Sequence, residues 1–252
     1  GVVGQIKNGK TTLLNALIFG KPLLPVAATP MTASLSYITE GDETIEVEFF
    51  SQEDWEDIKE LANRDNEDEQ TIYAKEIINK AREIEQIDKL LGKSQTIKPN
   101  QIQDYAGSEG KYTPIVKALT IKVPSKKLEV ADFVDTPGLN DPVISREFRA
   151  REFLSEADVV IVILNAGRPF DEADKDLLFN KIRTVGTGKV VVVMNKKDLV
   201  LENEGEEERA LGYIKEKFYV EVNEIESENK IIAEVLRSAP FVSFCSLWAL
   251  LG

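Results

Sequence analysis

Gly4-Gln5-Ile6-Lys7-Asn8-Gly9-Lys10-Thr11 fits the pattern G-x-x-x-x-G-K-[ST]. The chemistry of that pattern is anion capture. Its glycines let backbone N–H groups turn inward around a phosphate, and the N-terminus of the helix behind them adds a favourable dipole. An apolar strand end, Gly1-Val2-Val3, precedes it, and a helical run, Thr12-Leu13-Leu14-Asn15-Ala16-Leu17, follows. Gly4, Asn8, Gly9, Lys10, Thr11 and Thr12 are therefore the expected phosphate contacts. Lys10 is expected to reach the β- and γ-phosphates, and the Thr11 hydroxyl to ligate Mg²⁺. The plain alternative is a glycine-rich turn before a helix.

Two further motifs follow strands. Asp135-Thr136-Pro137-Gly138 ends an apolar run, and a carboxylate at a strand's C-terminal edge is where open α/β sheets place ligand contacts. Asp135 is expected to hold Mg²⁺ through water, and the Gly138 N–H to approach the γ-phosphate. Asn195-Lys196-Lys197-Asp198 follows a buried run and fits N-K-x-D. The Asp198 carboxylate can accept from guanine N1–H and the 2-amino group. Adenine offers neither donor there and would leave a buried carboxylate unpaired. Lys196 would lay its stem over the base, and Asn195 would tie this loop to the phosphate loop. GTP and GDP are thus the expected ligands. Each motif taken alone is also an ordinary turn; the order of the three argues against that.

These loops need strands to carry them. Strands are expected over 44–50, 118–123, 128–135, 158–165, 189–194 and 241–246. Several are apolar on both faces, as buried parallel strands are. Helices are expected over 10–19 (stopped by Gly20), 145–157, 171–185, 205–219 and 222–237. The alternation predicts an α/β fold with a mostly parallel sheet and helices on both faces. The stretch of about 51–114 breaks it: Trp55, Ile58 and Leu61, then Ile77, Ala81, Ile84 and Leu91, recur at helical spacing in acidic surroundings. It reads as a helical insertion in a single domain covering 1–252, with its charges forming a solvated face.

Composition removes other chemistries. The formal charge is 31 − 44 = −13, which argues against a nucleic-acid surface. The chain has no histidine, so Ser-His-Asp and Cys-His catalysis and His-ligated zinc are excluded within it. A single cysteine, Cys245, excludes an intrachain disulfide and suits a reducing compartment. No apolar run approaches the roughly 20 residues of a membrane-spanning helix. With no initiator methionine or signal peptide in Gly1-Val2-Val3-Gly4 and a helix starting at Leu247-Trp248-Ala249-Leu250, the expectation is a piece of a longer protein.

The three motifs resemble the first, third and fourth guanine-nucleotide motifs of the TRAFAC class of GTPases. Between them, Leu24-Pro25-Val26-Ala27-Ala28-Thr29-Pro30-Met31-Thr32-Ala33 resembles the switch I region of the dynamin superfamily, particularly its bacterial members. Asn165-Ala166-Gly167-Arg168-Pro169-Phe170-Asp171 and Cys245-Ser246-Leu247-Trp248-Ala249-Leu250 are also dynamin-like. The resemblance implies a P-loop NTPase three-layer fold and Mg²⁺-dependent GTP hydrolysis. It makes Thr32 the switch I Mg²⁺ ligand, with Thr29 as fallback. It places Ser246 and Leu247 in the base-contacting loop, where this chain has Cys245 for the family's serine and Ser246 for its alanine.

It further implies membrane remodelling through nucleotide-dependent dimerisation, as a homodimer or paralogue heterodimer meeting through the GTPase face. Membrane contact would come only through regions outside this chain, and the location would be cytoplasmic, at the inner face of a membrane. Leu139, after the D-T-P-G motif, cannot orient water. Lys7 is the candidate for charge compensation across such a dimer, against the alternative of a solvated lysine. Lys10, Lys7, Thr32 and Gly138 are thus the candidate catalytic residues. A regulatory or ribosome-associated GTPase switch acting through partner binding is the competing reading; a non-hydrolysing nucleotide scaffold is another.

Overall fold

The computed structural model describes residues 1–5, 7–25, 34–65, 68–136, 153–168, 170–181, 188–200, 205–227 and 229–251. Thr29, Thr32, Gly138 and Leu139 lie outside these residues, as does most of the helix expected over 145–157. Among the described residues the strands are β1 (Val2–Gly4), β2 (Leu35–Glu40), β3 (Thr44–Phe49), β4 (Ser94–Ile97), β5 (Val116–Val123), β6 (Phe133–Asp135), β7 (Val160–Asn165), β8 (Val190–Asn195) and β9 (Phe241–Ser243). The helices are α1 (Lys10–Leu14), α2 (Gln52–Ala62), α3 (Glu69–Ala81), α4 (Gln103–Ala106), α5 (Glu172–Lys175), α6 (Glu206–Ile225), α7 (Lys230–Arg237) and α8 (Ser246–Leu251). The class is α/β, as expected. Two compact units appear: Gly1–Lys21 with Arg151–Gly252, and Pro22–Ala150.

In the first unit the strand order is β1-β7-β8-β9, and every pairing is parallel. Gly4 lies opposite Ile163, Asn165 opposite Asn195, and Met194 opposite Ser243. The carboxyl ends of these strands therefore share one edge, the edge at which such sheets bind ligands. Val160, Val162, Ile163 and Leu164 are all buried, as are Val190, Val192, Val193 and Met194. Cover on both faces explains their unbroken apolar run. Phe218 of α6 is fully buried and meets the rings of Phe179, Tyr219 and Phe241 at 5.7, 5.5 and 5.0 Å.

Local signals set the helix ends. α1 continues as a π-helical turn, Asn15–Phe19, and stops at Gly20, whose φ of 62° is left-handed and whose N–H donates to the Asn15 carbonyl at 2.8 Å. The break expected near 220 is not there: α6 runs through to Ile225, since neither glycine nor proline interrupts residues 213–225. The next helix starts at Asn229, whose Oδ1 accepts from the Ile232 N–H at 3.1 Å.

In the second unit the order is β4-β3-β5-β2-β6, with β2 and β5 parallel and the other pairings antiparallel. Trp55 and Ile58 of α2 are buried as their spacing predicts, as are Ile77, Ala81, Ile84 and Leu91, whereas Leu61 is only partly buried. Ser51 and Asp54 form a capping box at the start of α2, each accepting the other's backbone N–H, at 3.0 and 2.9 Å. The strand expected over 128–135 is confined to Phe133–Asp135. Upstream of it the Leu128 N–H closes a turn onto the Ser125 carbonyl, and Val130 is exposed. No helix among the described residues is long and apolar enough to cross a membrane.

Candidate nucleotide-binding site

The phosphate-loop sequence leaves β1 at Gly4 and enters α1 at Lys10. Its two glycines are sterically required. A Cβ on Gly4 would lie 2.6 Å from the Ile163 carbonyl oxygen. At Gly9, φ is 88°, and a Cβ would lie 2.4 Å from Asn195 Nδ2. Lys7 is exposed and left-handed without being glycine, with φ 64°. Asn8 is buried; its Nδ2 donates to the Ile163 carbonyl at 2.9 Å, so its side chain anchors the loop to β7. The Asn8 N–H closes back on the Gln5 carbonyl at 3.3 Å. Lys10 Nζ donates to the carbonyls of Gly4 and Gln5 at 2.9 and 3.2 Å, which lays the ammonium across the inside of the loop. Thr11 and Thr12 lie in the first turn of α1.

Asn195 joins this loop to two others. Its Nδ2 donates to the Asn8 carbonyl at 2.8 Å, the tether that the N-K-x-D motif implies. Its Oδ1 accepts from the Ser246 N–H at 3.0 Å and from the Ser246 hydroxyl at 2.8 Å. Lys196 turns the chain with φ 60°, and its carbonyl accepts from the Leu199 N–H at 3.0 Å. Cys245 then holds the last residue of the N-K-x-D motif: its Sγ–H donates to Asp198 Oδ1 at 3.0 Å. Burial pushes the Cys245 thiol up, and the Asp198 carboxylate adds to the shift, so the thiol stays a protonated donor. Ser246 is buried, and Leu247 is half exposed.

The expected residues Gly4, Asn8, Gly9, Lys10, Thr11, Asn195, Asp198 and Ser246 thus gather at the carboxyl edge of the first unit. Asp135 belongs to the second unit, at the end of β6, where it is buried with Thr136. Two features escape the motifs. One is the thiol on Asp198, which was visible only as a departure from serine. The other is a cluster beside the loop: Gln5 Nε2 donates to Asp171 Oδ1 and Asp174 Oδ1, at 2.8 and 2.9 Å, and Arg168 sits on both carboxylates. Its signals in the sequence were the stretch from Asn165 to Asp171, which carries Arg168 and Asp171, and the D-x-x-D spacing at a helix start.

The donors suit a magnesium nucleotide. Gly4 and Gly9 add no side chain to the loop, and the Lys10 ammonium across it is a cation suited to phosphate. Taken separately, the hydroxyl of Thr11 in the first unit and the carboxylate of Asp135 in the second are each hard oxygens of the kind that Mg²⁺ prefers.

Residues 1–197 match the model of the Dynamin family. The chain is 30% identical over 217 residues to Dynamin-like protein 1 of Campylobacter jejuni, covering 85% of this chain and 29% of that protein. It is 29% identical over 204 residues to the bacterial dynamin-like protein of Nostoc punctiforme, covering 80% and 25%. It therefore spans less than a third of the length of these relatives. A solved structure of an oligomerised bacterial dynamin pair, described as a mechanism for long-range sensing and tethering of membranes, superposes with a TM-score of 0.75. That likeness is at 25% identity and covers 99% of this chain and 33% of the other. Because the Dynamin family model matches residues 1–197, more than half of the chain, the chain belongs to the dynamin family.

Proposed function

We propose that residues 1–252 are the GTP-binding and GTP-hydrolysing domain of a longer dynamin-like protein acting on membranes. The observation that carries this is Asn195, which links the phosphate loop to the loop after β9 while Asp198 is held alongside by Cys245. That arrangement pairs an anion cradle with a carboxylate suited to guanine. Lys196 supplies an alkyl stem for the base, and Leu247 borders the same loop. Ser246 supports the pocket from behind, through Asn195, rather than by its hydroxyl meeting the base.

By their motif positions Thr11, Thr32 and Asp135 take Mg²⁺, which when bound neutralises phosphate charge. Lys10 leaves its loop carbonyls for the β- and γ-phosphates, and the Gly138 N–H steadies the γ-phosphate. Lys7, exposed at the loop tip, supplies further positive charge when two such domains meet across their nucleotides. The likeness to an oligomerised bacterial dynamin pair supports pairing with a second copy or a paralogue, and the position of Lys7 is our reason for placing it at this face. Membrane contact then belongs to parts of the protein beyond this chain, with the domain on the cytoplasmic side; nucleic acid has no role.

The test is GTP turnover by the full-length protein over a range of concentrations, with and without liposomes, and with ATP as competitor. Turnover per molecule that rises with concentration, ignores ATP and loses kcat far more than GTP affinity in Lys7→Ala supports the proposal. Equal use of ATP removes the guanine reading. Turnover indifferent to concentration removes the pairing.

A further inference from the structure

Beside the phosphate loop lies a charged cluster that the nucleotide motifs do not include. Arg168 Nη1 is 2.5 Å from Asp171 Oδ2 and 2.9 Å from Asp174 Oδ2, and its Nη2 donates to Asp174 Oδ1 at 2.9 Å. The Asp174 side chain is 2% exposed. Two carboxylates against one guanidinium leave the group at a net charge of −1. A buried carboxylate needs its lone pairs satisfied, and Arg168 alone does not serve all of them. The missing donor is Gln5, whose Nε2 reaches Oδ1 of both aspartates.

The carboxylates are themselves fixed. Asp171 caps α5, accepting the Asp174 N–H at 3.0 Å, while Asp174 Oδ2 accepts the Asp171 N–H at 3.4 Å. Gln5 follows Gly4 directly, and its carbonyl accepts from both Lys10 Nζ and the Asn8 N–H. One residue is thus gripped by its side chain and, through its main chain, shapes the cradle.

We propose that Asp171, Asp174 and Arg168 are positioning residues for the phosphate loop, acting through the Gln5 amide to hold it in the form that receives the diphosphate of a nucleotide. The inference rests on the reading of this loop as a nucleotide site. Its chemical content is polarity: position 5 must donate. A preset loop lowers the ordering cost of binding, so GDP and GTP depend on it alike, and the effect falls on affinity more than on turnover.

The experiment measures fluorescent GDP affinity, KM and kcat for GTP, and the melting temperature of the full-length protein and its variants. Wild type must bind GDP; if it does not, the nucleotide reading itself fails and the cluster is not at issue. Q5E sets a third carboxylate against the pair. It is expected to weaken GDP binding about tenfold and raise KM by a similar factor, with kcat within about twofold and an unchanged melting temperature. Q5K, which still donates, is expected to stay within about threefold of wild type. Q5E/D174N returns the net charge to −1 and offers an amide donor to the new carboxylate, so it recovers most of the lost affinity. Wild-type GDP affinity in Q5E, an equal loss in Q5K, a double variant no better than Q5E, or a loss of kcat at constant KM each overturns the proposal. Should D174N not fold, Q5E against Q5K decides alone.

Discussion

The backbone N–H and the hydroxyl of Ser246 both converge on Oδ1 of Asn195, at 3.0 and 2.8 Å. The same side chain holds the Asn8 carbonyl, and all three residues are buried. Removing one donor and removing the hub should therefore differ sharply. Ser246→Ala leaves the N–H contact and is expected to cost about 1 kcal/mol in denaturant unfolding. Asn195→Ala strands buried groups on two loops and is expected to cost about 2–4 kcal/mol, with a matching loss of GDP affinity.

Gly9 and Gly20 make a controlled pair. Both are left-handed, with φ 88° and 62°, but only Gly9 faces an obstruction, Asn195 Nδ2, while a Cβ on Gly20 meets nothing within 4 Å. Gly20→Ala should cost about 1–2 kcal/mol of backbone strain. Gly9→Ala adds displacement of the buried tether, so its unfolding free energy should fall further and nucleotide binding should fail. Similar losses of stability in the two variants would contradict the steric reading of the loop.

Cys245 offers a test by pH. Burial first, then the neighbouring Asp198 carboxylate, raises its pKa. At pH 8 the folded protein holds less thiolate than the unfolded chain, so a thiol reagent should label it more slowly than it labels the unfolded chain. The associated stability is present below the ordinary thiol pKa and is lost as pH rises through the folded value. Cys245→Ser keeps a donor for Asp198 and should bind GTP within about threefold of wild type. Cys245→Ala should weaken binding more than that.

Asp54 tests the start of α2. Burial raises its pKa, but the Ser51 N–H, the Lys117 ammonium at 3.1 Å and the Ser51 hydroxyl outweigh it, and the net shift is downward. A lowered carboxylate stabilises the fold above its unfolded pKa and loses that contribution as pH falls through the folded value. Asp54→Ala should therefore cost about 1–2 kcal/mol near neutral pH. The gap to wild type should close below about pH 4, read by urea unfolding across pH.

The sequence disclosed what short-range chemistry controls. The spacing of Gly4, Gly9, Lys10 and Thr11 located the loop because few backbones wrap an anion, and Gly20 stopped its helix because a left-handed residue was needed there. The Val-rich runs over 158–165 and 189–194 marked β7 and β8 because both their faces are covered. β2 and β4 were not foreseen. Leu35–Glu40 and Ser94–Ile97 are short and polar in part, and they become strands through their ladders to β5 and β3. The contacts of Cys245 with Asp198 and of Gln5 with Asp171 and Asp174 span 47, 166 and 169 residues along the chain. No local pattern encodes such pairings; only the parallel order of β1, β7, β8 and β9 brings them together.

That order has a cost in time. Val2–Gly4 must wait for residues 161–163 before it can make its ladder to β7, and Asn195 must wait for Ser246 before its oxygen meets those two donors. A ribosome delivers these partners long after the phosphate loop, and closing such long loops is slow. The segment Pro22–Ala150 can condense meanwhile, because its strands pair among themselves. A nascent chain halted anywhere before Ser246 should therefore be unable to retain guanine nucleotide, which makes ligand capture a report on the joining of segments made far apart in time.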